Sequence, residues 1–340
     1  MAALDVPFIV AGTWIGSIGV PLFFVISGFC IASACAKVTG GLPFFVSRFR
    51  RIYPPYWAAL AILLSVSLWW PRVFDLPHPD DMTIGNWIGN LTLTETWRPH
   101  VSAERARLIA TQAWTLCYEE QFYVVSGLAL VIAGRHFLFA MSAVTAGVLL
   151  TMSFRFGTAV TGYFFDGTWL LFAEGVALSW LVRQSRRTQW TGGLALAAVG
   201  ISTVVTRSPA WWFFDAFAVG PLFTVLLLAL YRWDDRIMQS PWVRPLSICG
   251  AMAYSIFLIH PVITMGITQL LVYSGRRDWA STLLIGLPLS LAGSIAAGWV
   301  FHSIIERRFM LPPAVGRNFA RSPRLVPSFA NSLIGTRSIR

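Results

Sequence analysis

Two adjacent carboxylates, Glu119 and Glu120, sit inside an apolar run, "AWTLCYEEQFYVVSGLALVIA" (113–133). A charged side chain at mid-bilayer costs roughly 2.5–3.5 kcal/mol on insertion scales, so such residues face a bundle interior and mark function by default. At helical spacing, positions 115, 119, 122, 123 and 126 share one face. Thr115, Glu119, Tyr123 and Ser126 therefore form a polar stripe turned toward other helices, while Glu120 lies about 100° round and is expected to look toward an external mouth. A carboxylate so placed can orient or polarise a reacting hydroxyl; the other reading is that Glu119 only ties helices together. His260, in "AYSIFLIHPVI", is a second intramembrane titratable group. Pro261 removes the N–H that would bond the Phe257 carbonyl, which frees backbone for a ligand; a histidine that merely bridges helices needs no ligand. "SRFRRIYPPYW" (47–57) sets Arg48, Arg50 and Arg51 before Tyr53, Pro54 and Pro55, a stiff entry to a span. Planar guanidinium groups grip phosphate bidentately, so these arginines are either a cytoplasmic anion site or snorkelling topogenic charges. Glu306, in "HSIIERRF", closes the last span, with a surface pair to Arg307 or Arg308 as its plainer reading.

The elements that must carry these groups are membrane helices. The chain of 340 residues is 56% hydrophobic and only 12% charged, about half the charged share of a soluble domain. Nine apolar runs of roughly bilayer length fall near 18–36, 53–71, 112–133, 136–154, 166–183, 190–206, 211–231, 247–273 and 281–305. Backbone in lipid must pair within its own segment, and runs without period-2 alternation are helices. The fold class is all-α, a polytopic bundle of about nine transmembrane helices forming one membrane domain over 1–310. The 72–111 connection, with its "LPHPDD", is the only long one and is expected to lie outside, over a site. Residues 311–340 read as a basic, disordered cytoplasmic tail.

The net charge of +11 follows topology. The connections on one side of the bundle, with the tail, hold 18 of the 26 Lys and Arg. That side is cytoplasmic by the positive-inside rule, which also favours contact with anionic lipid over nucleic acid. With nine spans and the tail inside, residue 1 starts outside, yet no cleavable signal is visible; the expectation is that a first helix is missing. Cys30, Cys35, Cys117 and Cys249 show no metal or redox spacing and read as small hydrophobes. No metal site is expected.

Five segments, in order, resemble the acyltransferase 3 family of bacterial integral-membrane acyltransferases: Gly19–Ile31, Arg48–Tyr56, Trp114–Tyr123, Gly250–Pro261 and Ile304–Phe309. "LLFAEGVAL" (170–178) echoes a sixth more weakly. The most distinctive is the W-x-L-x-x-E-E-Q-F-Y block. The resemblance implies a ten-helix core and transfer of an acyl group, most often acetyl from cytoplasmic acetyl-CoA, to a hydroxyl of an exported saccharide, free or lipid-linked. Acetyl-CoA is then a donor substrate rather than a bound cofactor. The implied location is the bacterial inner membrane, with the C-terminus inside. It makes Arg48, Arg50 and Arg51 the site for the CoA phosphates, and Glu119, with Glu120 and His260, the catalytic set. Ser27, Gly28, Trp114, Gln121, Tyr123, Tyr254 and Glu306 shape the site. The family's first helix carries an arginine and a histidine taken as the general base; residues 1–17 contain neither, which agrees with the charge count. An inactive member or a carrier is the alternative, and oligomeric state is left open.

Overall fold

The structure is a computed structural model that describes residues 18–36, 40–71, 73–74, 76–77, 79–102, 104–153, 163, 167–206 and 215–310. Both the expected tail, 311–340, and residues 1–17 lie outside the described residues. The helices that matter for function are α1 (Gly19–Cys35), α2 (Gly41–Trp69), α3 (Ile84–Thr92), α4 (Trp114–Ala133), α5 (Phe137–Ser153), α6 (Thr168–Leu181), α7 (Arg186–Thr206), α8 (Gly220–Leu230), α9 (Ala253–Tyr273) and α10 (Leu287–Phe301). Among the described residues six helical stretches are long and apolar enough to cross a membrane, while α1 and α6 are shorter apolar helices. One of the six, Thr111–Met152, contains α4 and α5, separated at Gly134, whose φ of 51° turns the chain between them. Each of the nine apolar runs overlaps one of these helices among the described residues.

One boundary differs from the sequence reading. The second run was expected to begin at residue 53, with Pro54 and Pro55 in its first turn. Instead α2 starts at Gly41 and carries both prolines inside it. Proline's fixed φ is compatible with a helix, and the penalty is the lost N–H donors for the carbonyls of Arg50 and Arg51. Buried Ile52, Tyr56, Leu60 and Leu63 hold the helix through this point. Arg48, Arg50 and Arg51 consequently project from a helix, not from a loop.

The described residues form two compact units. The first comprises those of Met1–Phe45, Ile88–Ala106 and Ala113–Arg232. Within it α1 packs most extensively on α6, and α7 on α8. Apolar side chains gain nothing by leaving lipid, so close backbone approach and dispersion must hold such helices together. Gly28 and Gly175 provide the approach: a Cβ on Gly28 would strike the Phe172 carbonyl, and one on Gly175 the Val25 carbonyl. Around this crossing Phe122 stacks on Phe172 with ring centroids 4.5 Å apart, and Phe24 meets Phe122 edge-on at 5.6 Å. Large side chains such as Ile132, Leu150 and Val205 stay exposed, as lipid-facing residues should.

The second unit comprises the described residues of Val46–Trp87, Arg107–Gln112 and Trp233–Arg340. Its main packing is α9 on α10. Gly298 lies against Ile256, where any side chain on the glycine would meet Ile256 backbone as well as its side chain.

In the part of the long connection that belongs to the first unit, Arg98 is the centre of an ion-pair network. Arg98 donates to both oxygens of Glu95, from Nε at 2.9 Å and Nη2 at 3.1 Å, and from Nη1 to Glu104 at 2.5 Å. Glu95 is fully buried and Gly89 leaves it room. The Glu95 hydrogen bonds hold the Arg98 guanidinium above its ordinary value against the opposing effect of burial. A raised cationic pKa stabilises the fold at every pH below the ordinary arginine value, and the contribution is lost only in stronger alkali. Near neutrality Arg98 therefore confers no pH dependence. Arg98→Ala removes the cation paired with the buried Glu95 carboxylate and is expected to cost about 3–5 kcal/mol, read as a lowered Tm of the purified protein and faster proteolysis within 88–106. Unchanged Tm and proteolysis would show that the network contributes nothing.

Candidate active site

The polar face expected of α4 is buried as a whole: Thr115, Glu119, Phe122, Tyr123 and Ser126 all lie inside the first unit. A carboxylate there needs hydrogen-bond donors, and two are present. Ser27 on α1 donates to Glu119 Oε1 at 2.7 Å, and Tyr123, one turn along α4, donates to the same oxygen at 2.5 Å. Among the described residues both bonds fall on Oε1, which leaves Oε2 for a third group. Gly28, the neighbour of Ser27, fixes where α1 crosses α6 and thereby the position of the serine hydroxyl. Trp114 packs edge-on against Tyr118 and Phe24 at 6.0 and 6.5 Å, which walls this end of α4 with rings. Gln121 donates back to the Cys117 carbonyl at 3.1 Å, and Glu120 is only partly buried.

The remaining site residues named from sequence lie in the second unit. Arg50 and Arg51 are exposed and Arg48 is partly buried. Tyr254, near the start of α9, donates its hydroxyl to the Ile52 carbonyl at 2.9 Å, which pins α9 to the turn of α2 that follows the arginines. His260 bonds through Nδ1 to the Phe257 carbonyl at 2.8 Å. The backbone group released by Pro261 is thus taken by the histidine's own ring.

Glu306 is buried, and its partners are not the adjacent arginines. Ser255 donates to its Oε2, and His302 Nδ1 lies 2.9 Å from the same oxygen. His302 was passed over in the sequence reading, although "HSIIE" places it four residues before Glu306, on the same side of a helix. The local backbone is a π-turn, His302–Glu306. Such turns are rare and collect at functional positions.

A further carboxyl, Glu174 in "LLFAEGVAL", has its Oε2 shielded against Gly220 of α8, with no hydrogen-bond partner among the described residues. The Thr224 and Ser126 hydroxyls are likewise shielded without partners. Sequence reasoning treated this segment as a weak echo only. The signal available was a lone acid within an apolar run.

Comparisons with known proteins agree with this architecture. The model of the family described as "Acyltransferase domain" matches residues 4–299. The chain is 30% identical over 275 residues to the exopolysaccharide production protein ExoZ of Rhizobium meliloti (strain 1021), covering 72% of this chain and 76% of that protein. It is 25% identical over 334 residues to the acyltransferase MdmB of Streptomyces mycarofaciens, covering 88% and 82% respectively. No solved structure matches. Apolar helices throughout, a buried carboxylate held by two hydroxyls on α4, and a family match over most of the length lead to one conclusion: the chain belongs to the acyltransferase 3 family and is a multi-pass membrane acyltransferase.

Proposed function

We propose that this membrane acyltransferase moves an acetyl group from cytoplasmic acetyl-CoA to a hydroxyl of a saccharide bound for the cell surface or for export. The observation that carries the reading is the Glu119 site. A sugar hydroxyl is a weak nucleophile toward a thioester and must be oriented and relieved of its proton as it attacks. A carboxylate held rigid on one oxygen by Ser27 and Tyr123 presents its other oxygen to such a hydroxyl without having to reorganise. The exposed guanidinium groups of Arg50 and Arg51, with Arg48 beside them, suit the phosphates of the donor. A saccharide acceptor draws support from the exopolysaccharide role in the name of one relative. The charge asymmetry supports a cytoplasmic side for the arginines and the C-terminus of a protein of the inner membrane.

The test is labelled acetyl-CoA supplied to inverted membrane vesicles containing the protein, with label followed into lipid-linked and free saccharide. Label that never reaches saccharide defeats the reading. Exchanging Arg48 and Arg51 together for alanine is expected to raise the KM for acetyl-CoA about tenfold or more, since a hydrogen bond to a charged group is worth about 1.5–3 kcal/mol. Donor kinetics that do not move would remove the phosphate-site assignment.

A further inference from the structure

We infer that the groove between α5 and α6 seats one acyl chain of an anionic phospholipid, whose phosphate rests on Arg135 and Arg183. The site lies wholly within the first unit. It is separate from the Glu119 site and does not depend on the choice of acyl donor or acceptor.

The two helices enclose a groove of about 520 Å³, within the roughly 300–1,000 Å³ of sites that take small molecules. Alanine at 146 and 177 leaves open the space that longer side chains would fill. The lining is apolar apart from Ser142 and Thr145. Thr145 is already engaged, accepting from Trp169 Nε1 at 2.9 Å and donating to the Met141 carbonyl at 2.8 Å. What the groove offers is therefore contact for hydrocarbon. Along α5 it runs from Leu138 to Leu149, a rise of about 16 Å. That is close to half of the roughly 30 Å hydrocarbon core, the depth of one leaflet and the reach of one phospholipid chain. A much longer isoprenoid tail would overrun it.

Charge at one end of the groove selects the head group. As consecutive spans α5 and α6 run in opposite directions, which brings the start of α5 and the end of α6 together. Arg135 precedes Leu138 by about one turn, and Arg183 follows Trp180 by the same interval, so both arginines flank this end. Both are exposed, and among the described residues neither meets a carboxylate. The turns at 134–136 and 182–189 hold four arginines and no acid. Basic pockets between membrane helices bind anionic head groups, and a guanidinium grips phosphate bidentately. The exposed Trp180 indole at this end suits the membrane interface. A chain in the groove braces α5 against α6, and with them Trp169, whose ring lies 5.7 Å from Phe122 of α4. The lipid thereby stabilises the unit that holds Glu119.

The experiment uses the full chain purified in an uncharged detergent, to which dioleoylphosphatidylglycerol or dioleoylphosphatidylcholine is added. Phosphatidylglycerol is expected to raise the Tm saturably, with half the effect at a concentration about tenfold or more below that needed with phosphatidylcholine, as the pull of two basic residues on net negative charge predicts. Exchanging Arg135 and Arg183 together for glutamine should erase that preference and leave the protein level unchanged. An equal response of the unaltered protein to the two lipids overturns the assignment. A second measurement also needs no variant: phosphatidylglycerol with a photoreactive diazirine in its acyl chain should label peptides covering 138–149 and 173–180, and excess unlabelled phosphatidylglycerol should displace it. Ala177→Phe fills the groove and should lose the label. Label spread equally over α7 overturns the groove as the seat. Recovery of a polyprenyl phosphate at these peptides, or of a second copy of the chain, overturns the choice of occupant.

Discussion

Glu119→Gln is expected to reduce acyl transfer by about 10²–10⁴-fold, the range associated with one acid–base group, while the amount of folded protein in the membrane stays the same. The two halves of that statement have separate causes. The amide oxygen of glutamine still accepts from Ser27 and Tyr123, which reach one oxygen of the native carboxylate. Neither buried hydroxyl loses its partner, and the packing of α1 on α4 is preserved. The negative charge is removed, and with it the ability of the second oxygen to orient a hydroxyl and share its proton. Glu119→Ala tests the same site differently. It leaves two buried donors unsatisfied at about 1–3 kcal/mol each, so it should lower both protein level and activity. Transfer assayed against protein quantified by size-exclusion chromatography separates the cases. If Glu119→Gln loses protein and activity in parallel, Glu119 is a structural tie between helices and the catalytic assignment falls.

The second large effect is expected at the crossing of α1 and α6. Gly28→Val or Gly175→Val should prevent accumulation of folded protein. At each position the added Cβ runs into a carbonyl of the opposing helix, Phe172 or Val25. Backbone cannot step aside as the end of a flexible side chain can, so the helices must separate. Overpacking costs roughly 1–3 kcal/mol or more, and in lipid no hydrophobic gain draws the pair back together. Separation would also carry Ser27 away from Glu119. Gly19→Ala, in α1 but with no described residue near its Cβ position, is the control and should behave as wild type. Thermal unfolding in detergent with detection of soluble protein reads all three. Wild-type stability of Gly175→Val would mean that the close crossing is not needed.

Much of this architecture was legible in the residues alone. Length of apolar run determines where a helix can cross hydrocarbon, because the bilayer supplies no partners for an unpaired backbone. That rule located the long apolar helices, though not the short α3 within the 72–111 connection, and the i, i+3, i+4 spacing identified the face of α4 that became buried. Motif order identified the family. Spacing failed where the deciding contact came from elsewhere in the chain. The prolines at 54 and 55 looked like a helix start, and only the packing of Ile52, Tyr56 and Leu60 showed a helix running through them. The Phe257 carbonyl looked available, and only the rotamer of His260 showed it occupied. Ser27 and Glu119 are 92 residues apart, and Ser255 and Glu306 are 51 apart. No local pattern states that such pairs meet. Helix periodicity says which way a side chain points; which partner waits there is settled by how closely the helices approach, through glycines such as Gly28 and Gly175, and that is a property of the tertiary structure.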